Sequence, residues 1–393
     1  MPTKLVNTRR KSASYESIGH SVNDQAKPAT ATTHPLAGTR MSGADIVVQV
    51  LADEGVDTIF GYSGGAILPT YDAVFRYNDS HKRDNGDAAM PLIVPANEQG
   101  AGFMAAGYAR ASGKVGVAMV TSGPGATNMV TPVRDCMADS VPIVVICGQV
   151  PRAAIGTDAF QEAPVTAIMG AVSKHVFLAT DPEKLEETIR SAFELARTGR
   201  PGPVVVDIPK DVQNWESEFR GSGSLPLPGY HRRLSAVVEN RLTDAQCERF
   251  YSMLAKAERP LIYAGGGVIN ADATKPMRRL AAEYGIPVTT TLMALGASDT
   301  THPLAMHMLG MHGLASANYA VEDCDFLIAV GARFDDRVAG LPEKFAPNAQ
   351  FIAQFDVDPS EIGKVKQVHW SHVGVLSQDL QALLDYGKQH GIE

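Results

Sequence analysis

From Ser42 onward, the hydrophobic pattern alternates helix-like segments with short apolar runs. Ile46, Val47, Val50 and Leu51 share one helical face, and the segment Asp57-Thr58-Ile59-Phe60 then predicts a β-strand. Further strands are predicted at 91–95, 115–121, 141–147 and 203–208, with helices at 98–110 and 182–197. Apolar strands that alternate with helices are typical of a parallel sheet covered by helices on both faces.

This alternation stops between residues 211 and 240, where the run GSGSLPLPG has the composition of an interdomain linker. A second alternating block follows, with predicted helices at 243–256 and 378–388 and predicted strands at 260–264, 286–290, 325–330 and 350–357. The sequence therefore predicts an α/β protein with two doubly wound parallel-sheet domains, at 41–210 and 241–393, joined by a linker at 211–240.

Composition and charge argue against two classes of protein, nucleic-acid-binding and membrane-spanning proteins. A net charge of −8 with interspersed charges gives no electrostatic footprint for nucleic acid. The longest apolar run, at 141–150, is too short to span a membrane. The four cysteines form no CxxC pair, and three of them lie in or beside apolar runs, so we expect reduced, buried thiols.

The first 40 residues are polar and rich in Ser, Thr and Ala, which predicts a disordered N-terminal extension. Arg9, Arg10 and Lys11 are typical of a transit peptide, but Glu16 and Asp24 are not, because transit peptides are poor in acidic residues. We therefore favour a cytoplasmic protein, with an organelle signal as the alternative.

Glu98 is the main candidate for chemistry, because it opens a helix directly after a strand. Taken alone, a carboxylate there is explained by its favourable interaction with the helix dipole. Two glycine-rich turns, GYSGGAI at 61–67 and TSGPGATN at 121–128, also leave the ends of predicted parallel strands. Ligands of open α/β sheets bind where such ends meet, so we expect a ligand site that includes Glu98.

The segments GYSGGAI, NEQGAGFMAAGYARASGKVGV, TSGPGATN, DSVPIVVICGQV, IGTDAFQE and GRPGPVVVDIPKDVQ together resemble the pyrimidine-binding domain of acetolactate synthases. The resemblance implies that Glu98 donates a hydrogen bond to the aminopyrimidine N1′ of thiamine diphosphate, so that the ring can act as an internal base. It also places Gly65 near the aminopyrimidine, and Phe160, Gln161 and Lys210 around a substrate channel. Without the resemblance, Gln161 and Lys210 would be interpreted as solvated surface residues.

The segments LIYAGGGVI, TTTLMALG, LGMHG, AVGARFDDRVAG and FDVDPSEIGK resemble the Rossmann-like, FAD-binding central domain of the same family. A lone glycine turn is a weak phosphate signal, but arginine forks suit a pyrophosphate and Asp356 suits a ribose or adenine. His312, between two methionines, would otherwise be interpreted as a core residue. The resemblance implies flavin contacts at Arg200, Gly265, Gly266, Gly267, Thr291, Leu292, Leu309, Gly310, Met311, His312, Gly331, Ala332, Arg333, Asp335, Arg337, Val338, Asp356 and Val357.

Three features depart from the family pattern: Ser63 replaces a proline, Asn97 replaces a histidine, and residues 79–89 form a polar insertion. The chain also contains no GDG run, the start of the family's Mg²⁺ signature. We therefore expect no metal ligands here, a C-terminal Mg²⁺-binding domain outside this chain, and weak binding of thiamine diphosphate by the chain alone.

The family condenses pyruvate with pyruvate or 2-oxobutyrate, giving 2-acetolactate or 2-aceto-2-hydroxybutyrate at the first common step of branched-chain amino-acid biosynthesis. The resemblance thus implies small 2-keto acid substrates, a homodimer or tetramer, and a possible regulatory small subunit. Three alternatives stay open at this point. They are another thiamine-diphosphate decarboxylase or oxidase, a noncatalytic FAD-binding or dimerising remnant, and a split enzyme whose metal-binding domain is a separate chain.

Overall fold

Two parallel sheets organise the computed structural model, which describes residues 34–393. The short strand β1 (Arg40–Ser42) precedes the first sheet. The strands of this sheet are β2 (Ile59–Tyr62), β3 (Leu92–Ile93), β4 (Gly116–Val120), β5 (Ile143–Gln149), β6 (His175–Leu178) and β7 (Val204–Pro209). They lie in the order β3-β2-β4-β5-β7-β6, and every pair is parallel.

Helices cover both faces of the first sheet. They are α1 (Gly43–Asp53), α2 (Leu68–Ser80), α3 (Glu98–Ser112), α4 (Pro124–Thr127), α5 (Val130–Asp139), α6 (Val165–Gly170) and α7 (Leu185–Arg197). Alternate residues of β4 enter different cores: Met119 packs with α1 and α7, whereas Ala118 packs with α3 and α5. This period of two along a strand buried on both faces is what continuous apolar runs predict.

The second sheet repeats the same design. Its strands are β9 (Pro260–Ala264), β10 (Val288–Thr290), β11 (Ala305–Met308), β12 (Phe326–Val330), β13 (Phe351–Asp356) and β14 (Trp370–Val373), in the parallel order β11-β10-β9-β12-β13-β14. Its helices are α10 (Asp244–Leu254), α11 (Gly267–Asn270), α12 (Thr274–Glu283), α13 (Ala315–Asp323), α14 (Asp336–Ala339) and α15 (Leu376–Gln389). The predicted fold class, two doubly wound parallel sheets, is confirmed.

The segment between the two sheets is more ordered than a linker composition suggests. It contains α8 (Lys210–Gln213), β8 (Glu216–Glu218), which pairs antiparallel with β1, and α9 (Pro228–Glu239). No residue of α9 is buried. Tyr230 donates to the Thr198 carbonyl (3.0 Å), and the Asn240 amide after the helix donates to the Val373 carbonyl (2.8 Å). The helix therefore bridges the two sheets by contacts near its ends.

The N-terminal boundary also differs from the prediction. His34 packs edge-on against Phe219, with ring centroids 5.0 Å apart, and Leu36 packs against the first core. Residues 34–39, assigned to the extension on composition, thus belong to the folded part of the protein. The rest of the predicted extension lies outside the described residues.

All four cysteines are buried and unpaired, as predicted. Within residues 34–393, none of the helices combines the length and apolar character needed to cross a membrane.

Candidate functional site

The first candidate site lies where the first sheet reverses its strand order. The chain passes from β2 outward to β3 and then returns to β4 on the other side of β2. The loops after β2 and β4 diverge here and leave a crevice for a ligand. They also pack tightly, because a Cβ on Gly64 would lie 2.5 Å from the Thr121 side chain. The Thr121 hydroxyl accepts a hydrogen bond from the Ala66 N–H (3.3 Å).

Glu98 is the first residue of α3 and its side chain is buried. Asn97 caps the helix by accepting a hydrogen bond from the Gly100 N–H (2.8 Å). The Asn128 amide, from the loop after β4, donates to Glu98 Oε2 (2.9 Å). Glu98 Oε1 has no hydrogen-bond partner among the described residues. The carboxyl group therefore has a fixed orientation and one oxygen available to a ligand.

Replacing Asn97 by Ala should destabilise the first turn of α3, the helix that begins at Glu98. The change removes the capping acceptor from the first turn of α3 and should cost about 1 kcal/mol of stability. Asn97→Ser keeps a capping oxygen and serves as the matched control. Urea unfolding of both variants checks the prediction; equal loss in both would contradict it.

The other residues predicted around this site lie at the same edge of the sheet. A Cβ on Gly65 would meet no atom within 4 Å, so the backbone there faces open space. Phe160 is 88% exposed, and Gln161 is exposed with a left-handed backbone (φ 58°). Lys210 is partly buried and directly follows β7. The carbonyl of Gln161 presses against Gly123, where a Cβ would approach it to 2.5 Å. The structure thus brings the loop that carries Phe160 and Gln161 against the glycine turn beside Glu98.

Sequence reasoning missed a buried polar pair beneath this loop. The Gln149 amide donates both to Asp207 Oδ2 (2.9 Å) and to the Ala163 carbonyl (3.1 Å). Asp207 Oδ1 is buried and has no hydrogen-bond partner within residues 34–393. Burial raises the pKa of Asp207 to about 7, although the Gln149 hydrogen bond lowers it. A strand-end polar residue in an apolar run is the one signal that could have identified the pair.

Asp207 should make the stability of the chain depend on pH. Its folded-state pKa is raised from 3.8 to about 7, so the folded chain binds the proton more tightly than the unfolded chain. Stability should therefore fall between about pH 4 and pH 7, by up to about 4 kcal/mol at 1.36 kcal/mol per pKa unit. Asp207→Asn should flatten this part of the profile, whereas exposed Asp84→Asn should not. Urea unfolding at several pH values measures both, and parallel profiles for Asp207→Asn and wild type would refute the assignment.

Two departures from the family pattern leave the site intact. The side chain of Asn78 bonds both the N–H and the carbonyl of Met90, at 2.8 and 2.7 Å, and so closes the base of the insertion. Lys82 and Ala88 form a bridge within it. Asn97 supplies the helix cap described above. The insertion is therefore a self-contained turn, and β3 still leads directly to Glu98.

The second candidate site lies where the second sheet reverses its order, between β9 and β12. A Cβ on Gly265 would lie 2.1 Å from the Gly331 carbonyl, and one on Gly267 would lie 2.7 Å from Gly331 Cα. Gly331 itself has a φ of 57°. Because these glycines have no side chain, the turn after β9 and the turn after β12 can pack backbone against backbone. Close packing alone therefore explains why glycine occupies these positions. The Gly266 N–H, in contrast, donates to no acceptor among the described residues.

Apart from Arg200, the predicted flavin residues lie at one edge of the sheet: Asp356 ends β13, and the others follow the carboxyl ends of β9 to β13. The Thr291 hydroxyl at this edge is buried and has no hydrogen-bond partner in the part of the chain that the structure describes. Leu292 and Met311 are 67% and 64% exposed. His312 is exposed, so its interpretation as a core residue is wrong. Burial, with the charges of nearby acidic groups, raises the pKa of Asp356 to about 6.

The remaining predicted residues at this edge differ in exposure. Leu309, Gly310 and Ala332 are buried, Arg333, Val338 and Val357 are partly buried, and Asp335 and Arg337 are exposed. Sequence reasoning missed Asn318, which accepts from the Gly310 N–H (2.8 Å) and donates to the Gly310 carbonyl (3.0 Å). Asn318 therefore holds the turn that presents Met311 and His312.

Arg200 is engaged within the chain. Its guanidinium bonds the buried carboxylate of Glu361 (2.7 Å) and the Ser140 hydroxyl (2.9 Å), and Asp358 lies 3.5 Å away. Since Ser140 belongs to the first sheet's loops and Glu361 to the second, Arg200 ties the two halves together. Its flavin contact stays a prediction.

Among the described residues, no three His, Cys, Asp or Glu side chains gather as a metal site would require.

Two family models match the chain. Residues 41–168 match the thiamine pyrophosphate enzyme N-terminal TPP binding domain, and residues 247–383 match the central domain of the same enzymes. The first matched segment covers β2 to β5 of the first sheet, and the second covers all six strands of the second sheet.

Curated relatives agree with this match. The acetolactate synthase large subunit of Corynebacterium glutamicum is 46% identical over 368 residues, which is 93% of this chain and 56% of the relative. The isozyme 2 large subunit of Escherichia coli is 46% identical over 88% of this chain and 58% of the relative. The chloroplastic acetolactate synthase of Arabidopsis thaliana is 43% identical over 91% of this chain and 51% of the relative.

The chain thus spans between half and three fifths of the length of these relatives. The two domain models and the curated relatives identify the same family. The chain belongs to the thiamine pyrophosphate enzyme family, and within it is homologous to the acetolactate synthase large subunits.

Proposed function

We propose that this chain forms the pyrimidine-binding part (41–210) and the flavin-binding part (241–393) of an acetolactate synthase catalytic subunit. Its reaction is the condensation of pyruvate with pyruvate or 2-oxobutyrate, which opens branched-chain amino-acid biosynthesis. The observation that carries the proposal is the Glu98 carboxyl group, buried at a strand-order reversal with one oxygen held and the other available. The homology to acetolactate synthase large subunits supports this choice of reaction.

The residues at this edge fit the aminopyrimidine of thiamine diphosphate. The available oxygen of Glu98 would hold a proton toward the ring nitrogen, and the open backbone at Gly65 would leave room for the ring. When bound, the cofactor supplies the carbanion chemistry that joins the two keto acids. Because Asn128 donates to Oε2, Oε1 is the oxygen that would hold the proton toward the ring nitrogen.

The second edge fits a flavin nucleotide. Thr291 offers a buried hydroxyl and Gly266 a backbone N–H, neither of which has a hydrogen-bond partner among residues 34–393. Arg333 and Arg337 would suit the pyrophosphate, because guanidinium groups bind oxyanions in a fork. Leu292 and Met311 present exposed apolar side chains that would suit an aromatic ring system.

A homodimer or tetramer is part of the proposal. A groove of about 430 Å³ beside Tyr71 is lined by Leu68, Phe75 and Val94, and all three of these side chains are more than half exposed. Exposed apolar surface of this kind is typical of protein interfaces. We also propose a cytoplasmic location, based on the acidic residues in the N-terminal 40, and a regulatory small subunit as a possible partner.

Turnover by the purified 393-residue chain tests the proposal. The assay contains pyruvate, thiamine diphosphate, Mg²⁺ and FAD, measures acetolactate, and records flavin absorbance on the same sample. Acetolactate formation by the chain, alone or mixed with the C-terminal third of the E. coli isozyme 2 large subunit, supports the proposal. Bound flavin without product under both conditions would favour a noncatalytic flavin-binding protein and overturn it.

A further inference from the structure

The segment from Pro151 to Ala163, called here the Phe160 loop, has an unusual backbone. Three of its residues adopt left-handed conformations: Gly156 (φ 84°), Asp158 (φ 57°) and Gln161 (φ 58°). Non-glycine residues rarely adopt this conformation, and it persists where surrounding contacts hold it. The Phe160 loop is therefore a specific shape that the rest of the chain must stabilise.

Glu162 supplies the contacts inside the loop. Its carboxylate accepts hydrogen bonds from the backbone N–H groups of Gly156 and of Ala159, the latter at 3.0 Å. Backbone hydrogen bonds, that of Gly156 first, lower the pKa of Glu162. One side chain thus binds both N–H groups that flank the turn before Phe160.

Both ends of the loop are anchored to β7 and the helix after it. Arg152 bonds Asp211 through its backbone N–H (2.9 Å) and its guanidinium Nε (2.7 Å). At the other end, Gln149 links the Ala163 carbonyl to Asp207. Since Lys210 lies between Asp207 and Asp211, the loop and Lys210 share one support.

The top of the loop contacts the Glu98 site. The Gln161 carbonyl packs against Gly123, and a Cβ on nearby Gly125 would lie 3.5 Å from Glu98 Oε1. Phe160, next to Gln161, keeps 88% of its surface exposed. An exposed aromatic side chain on a backbone held at three points is suited to contact a ligand or a partner.

We propose that the Phe160 loop is a preformed wall of the candidate site and that Glu162 is the residue that positions Phe160 and Gln161. This inference rests on the proposed function for the identity of the ligand, a small 2-keto acid. Glu162 acts through the loop backbone and touches no ligand itself. Substitution of Glu162 should therefore affect keto-acid use more than cofactor binding.

Hydrogen–deuterium exchange of the 393-residue chain without any ligand tests the preformed wall. In the wild type, the Gly156 and Ala159 amides should exchange at least about ten-fold more slowly than in an open loop. Glu162→Ala should remove this protection, and Glu162→Gln, which keeps one acceptor oxygen, should retain part of it. Exposed Glu183→Ala is the matched control and should change nothing. Unprotected amides in the wild type, or full protection in Glu162→Ala, would overturn the proposal.

A pH series distinguishes a carboxylate contact from general packing. Because the pKa of Glu162 is lowered from 4.5, its contribution is complete above about pH 4.5 and is lost as the pH falls through the lowered value. After correction for intrinsic exchange, wild-type protection should fall on acidification and that of Glu162→Gln should not. Parallel curves would count against the proposal.

Steady-state kinetics complete the test in the turnover assay. Glu162→Ala should raise KM for pyruvate about ten-fold with a smaller change in kcat, because a displaced wall weakens substrate binding. Glu98→Gln should instead abolish turnover and leave exchange in the Phe160 loop unchanged. Absence of turnover in the wild type would reject the proposed function, while the exchange data would still decide whether the loop is preformed.

Discussion

Replacing Glu98 by Gln should abolish acetolactate formation, with a loss of at least about a hundred-fold in kcat/KM. Gln keeps the shape of the side chain and can still accept the Asn128 hydrogen bond, but its amide cannot carry an acidic proton. The proton held toward the aminopyrimidine is therefore lost, while the fold is kept. Turnover and circular dichroism measured on the same preparation check both halves of this expectation.

Glu183→Gln is the control for that experiment, because Glu183 is exposed in the turn before α7. It should keep wild-type turnover. Activity of Glu98→Gln within a factor of about three of wild type would exclude Glu98 as the acid, since acid–base groups contribute far more than that. If Glu98 is the acid, Asn128→Ala should lose less acetolactate-forming activity than Glu98→Gln, because Asn128 only orients the carboxyl group.

The largest effect on stability is expected for Phe250→Ala. Phe250 lies on α10 and is fully buried against the second sheet. Its ring centroid lies 5.6 Å from that of Trp370, 5.7 Å from that of Phe326 and 6.1 Å from that of Phe355. Removing the ring should cost about 3–5 kcal/mol, from lost burial and the cavity left behind. The midpoint of urea unfolding, followed by the fluorescence of Trp370, measures the loss.

Tyr319→Ala provides the comparison for Phe250→Ala. Tyr319 is 65% exposed on α13, so its removal should change stability by no more than about 0.5 kcal/mol. The same readout serves both variants, because Trp370 packs in the core of the second sheet and Trp215, the other tryptophan, is half exposed. Similar midpoints for the two variants would contradict the central place of Phe250 in this core.

The central strands of both parallel sheets were predictable from sequence, whereas three of their four edge strands were not. The strands β4, β5, β7, β9 and β12 lie in apolar runs that are buried on both faces, and each was predicted within a few residues. The strands β6, β11 and β14 were missed, since short edge strands with exposed or mixed residues give no such run. The helix α9 was hidden by the glycines and prolines before it, and it has no buried face to produce a helical period.

The candidate sites show the same limit. Glu98 could be identified because it follows a strand and lies in a specific motif. Asn128, Glu162 and Asp207 were not identified, because their importance comes from contacts with loops that only the folded chain brings together. For Arg200, a motif position predicted a flavin contact but gave no sign of the ion pair with Glu361. Side-chain pairing across the sheets cannot be derived from spacing along the chain.

The four buried cysteines provide a built-in reporter of unfolding. Cys136 and Cys147 lie in the core of the first sheet, and Cys247 and Cys324 lie in the cores of the second. Burial raises the pKa of Cys136 to about 12 and that of Cys247 to about 11, so neither thiol forms the reactive thiolate while its half stays folded. Pulse alkylation followed by peptide mass spectrometry can therefore measure the unfolding rate of each half separately, and no cysteine has to be engineered into the chain.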